Sequence, residues 1–260
     1  MFRPYIETFN RYKYLLENLI MRDIKVKYRR SVLGVAWSLL NPLLMMFILN
    51  AVFSRVFRYT IENFPLYLIS AQIVWGFFNE ATSSAIFSVV DAAALIKKVY
   101  IPKYIFPLEK VLFAFVNLGF SIPAIVIMML IFRVPFSPVM FLFPVPLLGL
   151  LLFSIGWSLT ISALCVFFRD LKHLYTVLLT AWMYLTPIIY PMSALEGSWI
   201  YYIAMINPLT WYIEYFRGVL IYATMPTLTM NLVCFGYGIL FMIIGLLMFK
   251  KKQDKFILYI

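Results

Sequence analysis

At 260 residues, with 64% hydrophobic and only 13% charged side chains, the chain carries too much apolar surface for a water-soluble domain, where about 45–50% apolar and about 25% charged residues are usual. Its apolar runs are long and continuous, which argues against a membrane β-barrel, whose strands alternate in polarity over about ten residues. The formal charge of +11 sits between those runs, so it marks one side of a membrane and does not point to nucleic acid.

Residues 5–23 are predicted to form an amphipathic helix. Phe9, Tyr12, Leu16, Leu19 and Ile20 recur at helical spacing, while Asn10, Lys13 and Glu17 fall on another face. Either a membrane-surface helix or a soluble packing helix fits that pattern; the basic cluster Arg22, Lys25, Lys27, Arg29 and Arg30 that follows favours the membrane surface. No secretory signal peptide is expected, because these residues lack an uninterrupted apolar core. Transmembrane spans are then predicted at 33–57 (with Pro42 inside), 66–90, 106–132, 140–167, 174–192 (with Pro187 inside) and 230–249. Prolines within membrane helices are tolerated at the loss of one backbone hydrogen bond. Residues 193–225 differ: Asn207-Pro208, Glu214 and Arg217 divide them into pieces of about ten residues, too short to cross a core of about 30 Å. The expected fold is all-α and polytopic: six transmembrane helices, an N-terminal interfacial helix, and a re-entrant outer hairpin before the last span. The whole forms a single transmembrane domain with residues 250–260 as a tail.

Eighteen of the 22 Lys and Arg fall on one side of this arrangement: eight up to residue 33, four at 97–110, two at 169–172 and four at 250–255. Arg55, Arg58, Arg133 and Arg217 fall on the other. The positive-inside bias therefore places both termini in the cytoplasm. Tyr59, Tyr67, Trp199, Tyr201 and Tyr202 suit interfacial anchors. Cys165 and Cys234 lie in apolar runs and read as packed thiols without a disulfide or metal role.

Few residues suggest chemistry. Glu80 lies within the second span and Asp91 near its end; a deep carboxylate is costly and often functional, but one packed against a neighbouring helix explains Glu80 as well. His173 reads as a solvated loop residue. No His, Cys and carboxylate cluster suggests a metal, and no nucleophile–base pair stands out. The phosphate-binding pattern G-x-x-x-x-G-K-[ST] does not occur, so the chain is not expected to be an enzyme, and any ATP and Mg would belong to a partner. The loops at 91–105 and 168–174 and the N-terminal helix are candidates for docking that partner. Aromatic residues make up 19% of the chain. Trp37 and Phe47 in the first span and Trp182, Tyr184 and Tyr190 in the fifth form a deep set that suits stacking on sugar rings without fixing one register.

The run from Met21 to Pro42, with Arg22-Asp23-Ile24-Lys25-Val26-Lys27-Tyr28 followed by Ser31-Val32-Leu33-Gly34-Val35-Ala36-Trp37 and Pro42, resembles the start of the membrane subunit of type-2 ABC exporters, the branch that exports O-antigen, capsule and teichoic acid polymers. Ile101-Pro102, Phe168-Arg169-Asp170, Thr186-Pro187-Ile188-Ile189-Tyr190-Pro191 and Asn207-Pro208-Leu209-Thr210 extend the likeness in order along nearly the whole chain. The resemblance implies a homodimer on two ATPase subunits in a bacterial inner membrane. It implies docking through the N-terminal helix and Ile101, Pro102, Lys103 and Tyr104, and a pore lined by spans one and five. Residues 193–225, with Asn207, Pro208, Glu214 and Arg217, would close that pore from outside. The implied substrate is a lipid-linked polysaccharide, whose anionic pyrophosphate end would meet Arg22, Lys25, Arg29 and Arg30. A type-2 permease for a drug or lipid is the competing reading, and an ion-coupled secondary transporter with Glu80 as carrier a more distant one.

Overall fold

The computed structural model describes residues 3–57, 61 and 63–259, with side chains from residue 11 onward except at 54–57. The side chains of Phe9, Asn10 and Arg55, and the residues Arg58 and Tyr59, lie outside that description. Helix α1 (Arg3–Tyr28) leads into α2 (Ala36–Phe57), α3 (Phe64–Ala85), two single turns α4 (Ser88–Asp91) and α5 (Ala93–Ile96), and α6 (Ile105–Ile131). Then come α7 (Pro144–Cys165), α8 (Leu171–Leu185), α9 (Trp199–Ile206), α10 (Pro208–Leu220) and α11 (Leu228–Lys252). No strand occurs among the described residues.

The fold is all-helical, but the expected count of six apolar spans is not met. Among the described residues four segments are long and apolar enough to cross a bilayer: Ala36–Phe53, Ile105–Ile131, Pro138–Cys165 and Leu228–Leu258. The two shortfalls have different physical causes. Helix α3 is 22 residues long, which at about 1.5 Å per residue suffices for the hydrocarbon core, but it carries Gln72, Asn79 and Glu80. It tolerates them because α2, α6, α7, α8 and α10 pack around it and stand between it and lipid. Helix α8 is too short: 15 residues rise only about 22 Å. Thr186, the residue before Pro187, is extended at φ −98° and ψ 134°. That is the conformation a following proline ring favours, and the helix stops there instead of bending through.

Proline is handled differently in α2. Pro42 has no N–H to give the carbonyl four residues back, and that carbonyl, Ser38 O, instead accepts from Ser121 Oγ of α6 at 2.9 Å. The turn between α1 and α2 passes through Gly34 at φ +51°, a left-handed conformation that glycine adopts at no steric cost.

Two apolar cores hold the helices together. The larger joins α3, α6, α7 and α10 around Phe78, Phe153, Tyr212 and Phe216. Helix α10 is drawn into the bundle by it, burying nine of its residues. The second core lies at the basic end, where Leu16 and Leu19 of α1 meet Ile101, Ile105, Phe106, Val166, Phe249 and Phe256. The face of α1 anticipated from its periodicity is thus packed on the bundle. Along the flank of the larger core α7 and α11 approach closely, in register at Gly149 with Gly238 and at Gly156 with Gly245, where small residues let backbones meet.

Helix α1 is also held electrostatically. Asp23 accepts from Arg22 at 2.8 Å and from Lys110 of α6. Partial burial works to raise the Asp23 carboxyl, but the hydrogen bonds from Lys110 and Arg22 outweigh it and hold the group below the usual aspartate range. A carboxyl lowered in the folded state contributes stability that is complete above its ordinary range and is lost as pH falls through the lowered value. Protease should therefore reach α1 faster only at strongly acidic pH, while Asp23→Asn should show the loosening already at neutrality, by about 1 kcal/mol for a pair that is partly buried and still reached by water. A neutral-pH digestion rate equal to that of the parent would contradict this role.

Candidate functional site

Between α2, α3, α6 and the residues that follow α8 lies a cavity of about 850 Å³, within the range of small-molecule sites. Its wall on α3 is a stripe: Gln72, Gly76, Asn79 and Glu80 recur at i, i+4, i+7 and i+8 and all line it. Met45, Leu49 and Phe53 of α2 form an apolar side, and Met183, Tyr184, Ile189 and Tyr190 the opposite one.

One pole of the cavity is charged and closed by a network from four elements. Lys27, at the last turn of α1, places Nζ 2.6 Å from Glu80 Oε1, and Asn117 Nδ2 of α6 donates to the same oxygen at 3.0 Å. Tyr28 donates to Asn117 Oδ1 at 3.1 Å and also bonds Ser38 Oγ at the start of α2. The Lys27 ammonium further lies 5.4 Å from the Phe113 ring centroid, within cation–π range. Glu80 is therefore a paired carboxylate joined to neighbouring helices. Higher on α3, both amide atoms of Gln72 are buried and make no hydrogen bond to the described residues. An unpartnered buried amide costs about 1–3 kcal/mol, so this one presents unused donor and acceptor capacity to the cavity.

The far wall hangs on a buried arginine. After α8 stops, the carbonyls of Pro187, Ile188 and Tyr190 have no helical partner, and other helices supply one. Arg217 of α10 is fully buried. It donates to Pro187 O at 2.9 Å and to Ile188 O and Tyr67 O at 3.2 Å each. Its guanidinium carbon lies 3.3 Å from the Tyr67 ring centroid, and Glu214 pairs with it at 2.7 Å. Tyr67 Oη in turn donates to Tyr190 O at 2.9 Å. Beside it, Asn207 caps α10 by accepting from Leu209 N at 3.0 Å. The same Asn207 accepts from Trp182 Nε1 and donates to Thr186 Oγ1, both at 2.8 Å.

These contacts distribute the residues singled out from sequence. Of the deep aromatics, Trp37, Tyr184 and Tyr190 line the cavity. Phe47 points outward, 69% exposed, and Trp182 is a packing residue, edge-on to Phe78 and Trp157 at 5.2 and 5.1 Å. Asn207, Pro208, Glu214 and Arg217 sit at the α9–α10 junction and on α10, and Arg217, counted by charge on the outer side, is a buried internal tie. Arg22, Lys25, Arg29 and Arg30 are exposed, and Lys27, also open to solvent, lines the cavity and pairs with Glu80. In the loop before α6, Ile101 is buried in the second core, Lys103 and Tyr104 are half-buried, and the exposed residues are Lys97, Lys98, Val99 and Tyr100. Sequence reasoning missed Gln72, Asn79, Asn117, Tyr28 and Ser121. The signal was present, since the polar residues of α3 repeat at helical period and Asn117 and Ser121 are four apart on α6.

The profile of the ABC-2 type transporter family matches residues 14–221. This chain belongs to the ABC-2 type transporter family. It is 30% identical over 250 residues to an O-antigen export system permease protein RfbA of Klebsiella pneumoniae, covering 94% of this chain and 95% of the relative. To a Myxococcus xanthus protein of the same description it is 31% identical over 193 residues, 74% of each chain. As an ABC-2 chain with four long apolar helices it is a multi-pass membrane protein. In that setting the satisfied carbonyls after α8 are what an interrupted helix needs at membrane depth, and the polar stripe on α3 is acceptable because it faces a cavity.

Proposed function

We propose that this chain is the permease subunit of an exporter that moves lipid-linked, O-antigen-like polysaccharide across the bacterial inner membrane. It works as a homodimer on two separate ATPase subunits, which bring the ATP and Mg, with both of its own termini in the cytoplasm. The observation that carries the reading is the composition of the cavity wall: ring faces of Trp37, Tyr184 and Tyr190 beside the amides of Gln72, Asn41 and Asn79. Flat faces with dispersed hydrogen-bonding groups suit a sugar polymer that must be held weakly and passed on. The names of the relatives support the same substrate class. Self-pairing is supported by α2, which buries only 6% of its apolar window within the chain, and by the exposed Leu174 and Val177 of α8. Lys25, Arg29 and Arg30, with the exposed Arg22 that also pairs with Asp23, are placed to meet an anionic lipid head at the membrane surface, and the α9–α10 junction closes the opposite end.

The test is the double substitution Trp37→Ala with Tyr184→Ala. Both side chains line the cavity and neither holds the core, so insertion and ATP turnover with the partner should persist. Surface glycan should fall about tenfold, equivalent to roughly 1.4 kcal/mol of lost contact during passage. Unchanged glycan display from the double variant would remove the aromatic wall from the transport path.

A further inference from the structure

The segment after α11 does not trail away from the bundle. Residues Gln253–Leu258 form a short 3-10 turn that folds back beneath the helices. Phe256 is wholly buried in the second core with α1, the 101–106 stretch and the end of α7. Lys103 Nζ donates to Gln253 O at 2.6 Å and lies 5.9 Å from the Phe256 ring centroid. Arg169 Nη2 donates to Tyr259 O at 3.1 Å. The Phe167 ring packs on Phe256 at 5.8 Å and on Tyr259 at 4.8 Å. One short segment thus fastens the loop before α6 to the turn before α8, two stretches distant in sequence.

The outer side of this junction is apolar. Tyr100 is 90% exposed and Leu258 80% exposed, with Phe168, Ile257 and Tyr259 each at least half exposed. Next to them a hollow of about 610 Å³ opens between residues 164–174 and Tyr259. Clustered exposed apolar side chains mark an interaction surface. The exposed charges of the same stretches are Lys97, Lys98, Arg169, Lys172, Lys251 and Lys255, with Asp170 and Asp254 interspersed among them in sequence. Such mixed charge fits a protein face of alternating sign better than the uniformly negative surface of anionic lipid.

We propose that residues 253–259 form part of the docking surface for the ATPase subunit, acting as the staple that makes the loop at 97–104 and the turn at 166–171 one platform. The inference rests on the exporter reading above: the chain has no phosphate-binding loop, so work from ATP must enter through a contact with another chain at this end. The staple lets a push on either loop reach α6, α7 and α11 together.

The experiment uses the full chain co-expressed with its cognate ATPase subunit and carries Ile257→Asp with Leu258→Asp. Both side chains are exposed, and the buried Phe256 and the bonds to Lys103 and Arg169 are left in place. The variant should insert and melt like the parent while ATPase retained on purification drops at least tenfold. Phe168→Asp, on the other edge of the hollow, should give the same loss. Undiminished retention and ATP turnover in both variants overturn the proposal. So does a variant that loses binding to anionic vesicles but keeps the ATPase, which would give the patch to the membrane. Failure of the parent chain to retain any ATPase overturns the exporter reading itself, and this inference with it.

Discussion

Gly156→Leu should eliminate folded protein from the membrane, and even Gly156→Ala should lower the melting temperature in detergent. A β-carbon at this position would lie 2.2 Å from the Phe241 carbonyl carbon and oxygen, and one at Gly245 would lie 2.3 Å from Gly156 O. Neither obstacle is the movable end of a side chain; both are backbone, so α7 and α11 must separate along their length. Overpacking a core by a methylene commonly costs about 1–3 kcal/mol, and separating two backbones adds the dispersion contacts that draw membrane helices together without a hydrophobic force between them. Set against a total stability of about 5–15 kcal/mol, leucine is not survivable. Gly236→Ala, on the same α11 with nothing within 4 Å of its β-carbon position, is the control and should be nearly neutral. Fluorescence-detected size exclusion of the three variants checks this; a monodisperse Gly156→Leu protein would show that the seam is looser than its geometry.

Arg217→Met should cost about 3–5 kcal/mol, the range for breaking a buried charged pair by removing one partner. The substitution keeps much of the volume but leaves the carbonyls of Pro187 and Ile188 and the carboxylate of Glu214 without their donor, while Tyr67 O keeps its bond from Ser70 Oγ. Arg217→Lys should recover only part of this, because one ammonium cannot serve four acceptors spread around a planar fork or stack flat on Tyr67. Glu214→Gln removes the counter-charge of the buried guanidinium but should cost less than Arg217→Met, since an amide oxygen can still accept and the three bonds to carbonyls remain. The order of melting temperatures, parent above Glu214→Gln above Arg217→Lys above Arg217→Met, is the measurement. An Arg217→Met protein as stable as the Glu214→Gln one would refute the tie.

The features legible in the sequence are those a bilayer dictates. Long apolar runs and a basic end follow from the cost of exposing charge or backbone to hydrocarbon, and α6, α7 and α11 needed little more. What escaped was set by contacts between runs. Lys27 looked like one of five equivalent cations; its role depends on Glu80, 53 residues away. Arg217 reads from sequence only as a charge on the outer side and in the closing segment, because composition cannot say that carbonyls of two other stretches meet it. Residues 174–192 read as a single span because a proline inside a membrane helix is tolerated, and the geometry of Thr186 shows the helix ending. The aromatic set divided for the same reason: Trp182 found an amide oxygen and two rings, while Trp37 and Tyr184 kept their faces free.

Helix α3 is the most enclosed of the long helices and, apart from the charged α1, the one whose composition would partition least readily into lipid. Its stripe of amides and a carboxylate is solvated by the protein's own neighbours, so its residence in the membrane is a property of the assembled bundle and not of its own residues. Biogenesis must reflect this: α3 gains a stable seat only once α1, α2 and α6, which bring Lys27 and Tyr28, Ser38, and Asn117 to the network around Glu80, stand beside it.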